Sequence, residues 1–240
     1  MKAEVFPPKR GYNGRGILVG LASGGKTVVH VYWIEARERS HRSRMLLYDQ
    51  MDHSVCVKCT EKLSVDVLDD LEYTAMMSRE QRHVASNGPQ TQLIVEALCS
   101  GESLSAIGSA TRTSPPVSVI SPRISSVIDL HGTQPVYVLC VVTSLTMPLP
   151  NELVRTYTYA NVPEGFGLCI TTYLGDDRTL KPFAGDPYLL AIPDSGTLAQ
   201  DLWSLLPSDL RVGLVVKEVD LGTGDVTVTW RTRLEDDGAN

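Results

Sequence analysis

The sequence has no apolar run near the roughly 20 residues needed to cross a bilayer. Its first fifteen residues lack the apolar core and small-residue cleavage site of a signal peptide. It also lacks basic charge: 22 Lys and Arg against 28 Asp and Glu leave a net −6. That argues against general nucleic-acid binding, which depends on a basic surface that releases counterions. Five cysteines are an odd number in a chain too large to need them, which points to a reducing cytosol rather than a disulfide framework. No internal repeat is visible, and no linker is long enough to force two domains. What remains is a cytoplasmic globular chain of 240 residues with 42% apolar content, enough to bury about 70–75% of its unfolded surface without staples.

Punctuation and periodicity divide the chain. An irregular leader with Pro7-Pro8 is expected over 1–10, order over 11–234 as a single domain, and a frayed tail over 235–240. Apolar or alternating segments predict strands over 16–22, 26–34, 45–49, 123–130, 136–144, 153–159, 168–173, 212–219 and 226–231. Ser23-Gly24-Gly25 is hairpin punctuation between the first two, and Leu221 to Asp225 between the last two. Helical spacing with few breakers predicts helices over 69–83, from Pro89 to about 99, over 102–110 and over 198–206. A Ser/Thr/Pro connector fills 111–121. Strands mostly adjacent in sequence favour an α+β fold with antiparallel sheets over a doubly wound one.

Arg37 to Arg44 places four arginines and a histidine just after an apolar strand in an acidic protein. Guanidinium groups in such a loop suit a phosphate or carboxylate, while the plainer reading is a solvated basic edge. His53, Cys56 and Cys59 resemble half a zinc site, but a closed site needs four ligands and no second pair exists, so neither metal nor cofactor is expected. Gly20 to Thr27 has the spacing of a phosphate-binding loop, yet residues 28–34 alternate like a strand and leave no helix dipole for the phosphates. Ser86-Asn87-Gly88-Pro89-Gln90-Thr91 sets an amide, a hydroxyl and free N–H groups at the mouth of a helix. That is suitable ground for an oxyanion or an amide substrate, or for an ordinary cap.

Together these segments resemble the archaeal-type IMP cyclohydrolase family and its bacterial relatives. Tyr12-Asn13-Gly14-Arg15-Gly16 resembles the family's opening, and Arg37, Ser40, Arg42 and Arg44 its arginine-rich stretch. Ser86-Asn87-Gly88 with Gln90-Thr91 and Ile94 matches a Ser-Asn-Gly-x-Gln-Thr signature, and Pro122-Arg123-Ile124 a Pro-Arg-Ile element with Ser121 before it in place of Thr. Thr172-Tyr173, Gly175-Asp176 and Phe183-x-Gly185-x-Pro187 resemble a later block. The order holds from about Tyr12 to Leu221.

The resemblance implies a four-layer αββα sandwich like that of the N-terminal-nucleophile hydrolases. It implies closure of the formamido group of FAICAR onto its carboxamide, with loss of water to give IMP in purine biosynthesis. On this reading Arg15, Arg37, Arg42 and Arg44 hold the 5′-phosphate of a nucleotide monophosphate. Asn87, Gln90 and Thr91 meet the base or its carboxamide, and Tyr73, on a helix, moves a proton or donates to the oxyanion. Arg123 pairs with the substrate, Thr172 and Tyr173 line the wall, and a homo-oligomer is compatible. The leader argues against Tyr12 as an N-terminal nucleophile. Two stretches depart from the family: Glu38-Arg39 stands where small or acidic residues are expected, and Ser114 to Ser118 holds no carboxylate where an acidic stretch is expected. Those departures keep two alternatives open, a relative repurposed for another amide-bearing nucleotide or metabolite, and a nucleotide-binding protein without turnover.

Overall fold

Apolar residues of Arg15–Leu21 (β1) and Thr27–Glu35 (β2) are buried almost without interruption, as strands covered on both faces are. The computed structural model describes residues 6–7, 11–61, 71–112, 122–144, 152–175, 180–192 and 196–234. The leader apart from residues 6–7, the connector 113–121, Asp176 and the tail 235–240 lie outside them. β1 and β2 form an antiparallel hairpin turned at Ser23-Gly24-Gly25, where Gly24 and Gly25 sit at φ of 86° and 69°. Only glycine adopts that pair of conformations without strain, so the Gly-Lys-Thr sequence here serves a turn.

The hairpin lies at the centre of a six-stranded sheet. β1 pairs on its outer side with Phe166–Thr171 (β10), which carries Tyr188–Ala191 (β11) at the edge. β2 pairs with Arg211–Asp220 (β12), followed by Val226–Thr232 (β13). A second, seven-stranded sheet runs in chain order. Its strands are Arg44–Asp49 (β3), Ser54–Cys59 (β4), Tyr73–Arg79 (β5), Arg82–Ser86 (β6), Arg123–Asp129 (β7), Val136–Ser144 (β8) and Glu152–Tyr159 (β9). Every strand pairing in both sheets is antiparallel. The α+β expectation holds at this level.

The expected helix over 69–83 is corrected. Its described part is the β5–β6 hairpin, turned at Glu80 with φ 55°. Helical propensity there is overridden by ladder pairing to β4 on one side and β7 on the other, and Tyr73 and Ala75 alternate into the core. Strands β4 and β11, too short or too polar to stand out, were not expected. The helices among the described residues include Arg39–Arg42 (α1, a single turn), Gln90–Cys99 (α2), Ala106–Arg112 (α3, later than expected) and Leu198–Leu205 (α4). Among the described residues, no helix is long and apolar enough to cross a membrane.

Three apolar clusters hold these elements. One takes Ile17, Val19 and Tyr32 from the first sheet and Leu46, Val57 and Leu139 from the second. A second sets Leu198, Leu202 and Trp203 of α4 against Leu18, Val31 and Trp33. The third sets Ile94, Leu98 and Ile107 of α2 and α3 against Val84, Val127 and Val138. Each such side chain, fully buried, contributes on the order of 1.5–3 kcal/mol.

Candidate functional site

Strand register gathers the motif residues at one end of the two sheets. Arg15 stands opposite Ile34 and Gly16 opposite Thr171, at the end of the first sheet where β2 finishes on Glu35. In the second sheet Arg44 stands opposite Cys59, Val57 opposite Tyr73 and Ser86 opposite Ser125. Arg44, Tyr73, Asn87 and Arg123 therefore share an end. Period-2 alternation puts Arg15 on the same face of β1 as Ile17 and Val19, which belong to the cluster between the sheets.

From that face the Arg15 guanidinium comes close enough to the Tyr73 hydroxyl for the two to interact electrostatically across the sheets. Tyr73 in turn meets Tyr32, hydroxyl to hydroxyl, at 2.6 Å. Arg44 is 1% exposed and donates from Nε to the His41 carbonyl at 2.7 Å. Arg15 Nε and Arg44 Nη1 are shut off from water and have no hydrogen-bond partner among the described residues. Neither arginine forms an ion pair with a described carboxylate, so the guanidinium groups of buried Arg44 and half-buried Arg15 share a space that nothing described neutralises.

The titration behaviour follows from this arrangement. Burial and the neighbouring Arg15 charge pull Arg44 down to about 10, still cationic near neutral pH. At Arg15 burial works against the charge, but the surrounding Tyr73, Tyr32 and Tyr12 outweigh it and the proton is held more tightly than usual. Burial and the adjoining Tyr73 raise the Tyr32 hydroxyl well above its ordinary value. Burial likewise raises Tyr12, partly offset by Arg15 and Arg44.

The other arginines of the cluster make contacts of their own. Arg37 lies over the Tyr12 ring at 4.5 Å, and Tyr12 stacks on Tyr173 at 5.7 Å. Arg42 donates from Nε to the Ala36 carbonyl at 3.1 Å and from Nη2 to the Arg37 carbonyl at 3.0 Å. Its guanidinium shapes the loop. Thr172 Oγ1 accepts from the Arg15 N–H and donates to the Arg15 carbonyl, both at 3.3 Å, bracketing that residue.

The Ser-Asn-Gly-x-Gln-Thr segment is folded inward. Asn87 Nδ2 donates to the Pro122 carbonyl at 2.9 Å, and Asn87 Oδ1 accepts from the Ile124 N–H at 2.9 Å and from Gln90 Nε2 at 3.2 Å. The N-cap of α2 is Pro89 with no side-chain cap, so Asn87 does not head the helix. Instead it ties the end of β6 to the start of β7. Gln90 and Thr91 are fully buried, and Ser86 Oγ meets Thr91 Oγ1 at 2.5 Å. In this arrangement Gln90 and Thr91 brace the segment. Arg123 Nη1 donates to the Asn87 carbonyl at 3.5 Å and crosses Gly88, where an added Cβ would lie 2.8 Å from it.

Sequence reasoning missed Tyr32, Asn13 and Glu35. Glu35 is fully buried and accepts from the Asn13 N–H at 2.7 Å and from Asn13 Nδ2 at 3.2 Å. Burial pushes its carboxyl up to about 7, against the pull of the Asn13 donors. An acid closing an apolar strand was the available signal. Cys56 and Cys59, three apart on β4, point to opposite faces, and His53 Nδ1 meets the Tyr48 hydroxyl at 2.6 Å.

The family model of IMP cyclohydrolase-like proteins matches residues 12–222, which contain every residue of this site. The chain belongs to that family. No curated protein matches it. Membership in the IMP cyclohydrolase-like family supports a function of the cyclohydrolase type and a chain that acts as an enzyme.

Proposed function

We propose that the chain is an IMP cyclohydrolase, closing the formamido group of FAICAR onto the neighbouring carboxamide with loss of water. The observation that carries this reading is the pair of guanidinium groups on buried Arg44 and half-buried Arg15, each with an orphaned, water-shielded N–H and no described counter-ion. Two like charges out of water repel each other, and a dianionic phosphate relieves both the repulsion and the unmet hydrogen bonds. A 5′-monophosphate is the natural occupant.

With the phosphate anchored there, the two reacting groups sit next to each other on one ring, and their fixed proximity supplies much of the barrier reduction. The carboxamide nitrogen is a poor nucleophile, so the site must accept its proton and stabilise the oxygen that becomes negative. Tyr73, hydrogen-bonded to Tyr32 and under the influence of the Arg15 charge, is our candidate for proton donation to that oxygen. Tyr12 and Tyr173, stacked under Arg37, offer an aromatic wall. Arg123 faces the substrate from the β7 side, with Asn87 and Gln90 fixing its approach.

The reading extends to the fold and the setting. The three apolar clusters, one between sheets and one outside each, support a four-layer αββα sandwich of the N-terminal-nucleophile type. A soluble nucleotide substrate suits the cytoplasm. One observation favours a second reading, a relative repurposed for another amide-bearing nucleotide: Ser114 to Ser118, outside the described residues, carries no acid. Incubation of the purified protein with FAICAR, following IMP by absorbance, tests the choice. IMP formation supports the first reading, whereas nucleotide binding without IMP sinks it and leaves the alternatives.

A further inference from the structure

At the opposite end of the sheets, a cavity of about 370 Å³ lies between the tips of the β3–β4 and β5–β6 hairpins. Ser78, Arg79 and His83 line it together with Met51, Met77 and Val226. Behind its wall stands Lys217, 1% exposed, on the face of β12 shared with its pairing partner His30. Lys217 Nζ bonds the Ser78 hydroxyl at 2.8 Å and the His53 carbonyl at 2.7 Å. Ser78 Oγ also meets His83 Nδ1 at 2.8 Å, across a directly opposed strand pair. Lys217 has no carboxylate ion pair among the described residues. The acid whose charge acts on it is Asp52 in the β3–β4 turn, and His30, His53 and His83 are the other titratable groups around the amine, with Arg79 and Glu80 lining the cavity.

We propose that this cavity is a second reactive site, in which Ser78 is a nucleophile towards small carboxylic esters and Lys217 is its general base. The geometry is that of an activated hydroxyl: a base within hydrogen-bond reach, buried and without a counter-ion, and a third group on the other side of the oxygen. The chain of hydrogen bonds has two directions. With Lys217 charged, Nζ donates to Ser78, and Ser78 donates to neutral His83. With Lys217 neutral, Ser78 donates to Nζ, and His83 in its other tautomer donates to Ser78. The Ser78 hydroxyl has a donor on one side and an acceptor on the other in both, so the serine proton has somewhere to go.

Burial supports this by holding the Lys217 ammonium down to about 8, and His83 down to about 4, which keeps that imidazole neutral. In the step itself Ser78 Oγ bonds the ester carbonyl carbon as the carbon–oxygen bond to the alcohol breaks. The serine proton passes to Lys217 Nζ and then to the departing alcohol, and water afterwards hydrolyses the acyl-serine. Arg79 is the cationic group available to the oxyanion.

The test is a fluorophosphonate probe on the full chain, read by intact mass and peptide mapping. Attack forms the Ser78 O–P bond, breaks P–F and releases fluoride. A single adduct is expected on Ser78, formed faster as pH rises from 7 to 9. Ser78→Ala should abolish it, and Lys217→Met, of similar volume, should slow it at least tenfold. If that variant fails to fold, Lys217→Arg retains the charge but cannot take the proton, and should show the same loss. No adduct on Ser78 at any pH, or an undiminished rate in a folded Lys217 variant, overturns the proposal.

Discussion

Tyr32 and Tyr73 meet hydroxyl to hydroxyl at 2.6 Å, each reaching the contact from a different sheet. Both lie in the cluster between the sheets, so their rings bury apolar area while their polar ends pair at its margin. The Arg15 charge acts on Tyr73 at this junction. The contact that closes the core at this end is therefore also a face of the site.

Removing Tyr73's hydroxyl separates these two roles. Tyr73→Phe and Tyr32→Phe each delete one side of the same bond and should each cost about 1–2 kcal/mol of stability by denaturant unfolding. On the proposed function only Tyr73→Phe also removes the proton donor, and its turnover should fall roughly 100- to 10,000-fold. Equal kinetic losses in the two variants would place the effect in packing.

Arg44→Met tests the phosphate clamp. Affinity for IMP by calorimetry should fall by about 1.5–3 kcal/mol, roughly 10- to 100-fold, while inosine binding changes little. Arg42→Ala should cost much less, because that guanidinium is engaged by two backbone carbonyls. Thermal stability of Arg44→Met should hold or rise, since a buried charge facing Arg15 disappears. A fall in inosine affinity equal to that of IMP would remove the clamp.

Gly88→Ala introduces a Cβ 2.8 Å from Arg123 Nη1 and hard against Gln90 Oε1. Both groups are held, so the collision should cost about 1–3 kcal/mol in unfolding free energy and loosen substrate binding. A variant as stable as the parent would show that Arg123 is free to move.

Glu35 should make stability depend on pH. Its folded carboxyl is up at about 7, above the ordinary carboxylate value, so between the two the folded chain holds a proton the unfolded chain lacks. That contribution, on the order of 3 kcal/mol, is present at low pH and is lost as pH climbs through 7. Glu35→Gln carries no such proton. Between pH 5 and pH 8 the melting-temperature difference should shift in favour of the glutamine variant by roughly 6–12 °C. A constant difference would mean that Glu35 stays ionised throughout.

Much of the fold was legible because strands covered on both faces write themselves as long Val- and Ile-rich runs. β1, β2, β7, β8 and β12 were placed to within a few residues. The β5–β6 hairpin was not, since Tyr73-Thr74-Ala75-Met76-Met77 suits a helix as well as a strand until neighbours claim its hydrogen bonds. The site divides in the same manner. Arg15 and Arg44 stood out as arginines in an acidic chain, but nothing local separates them from Arg37 and Arg42.

By itself the sequence determined the residue types, the hairpin turns and the family, because glycine conformations, apolar alternation and ordered short motifs are local properties. Only the tertiary structure decided which arginines lose water and keep unmet donors, that Asn87 braces two strands, and that Tyr32 and Glu35 belong with them. Those outcomes depend on which inward faces meet when two sheets stack, and burial and opposed charge arise only at that contact.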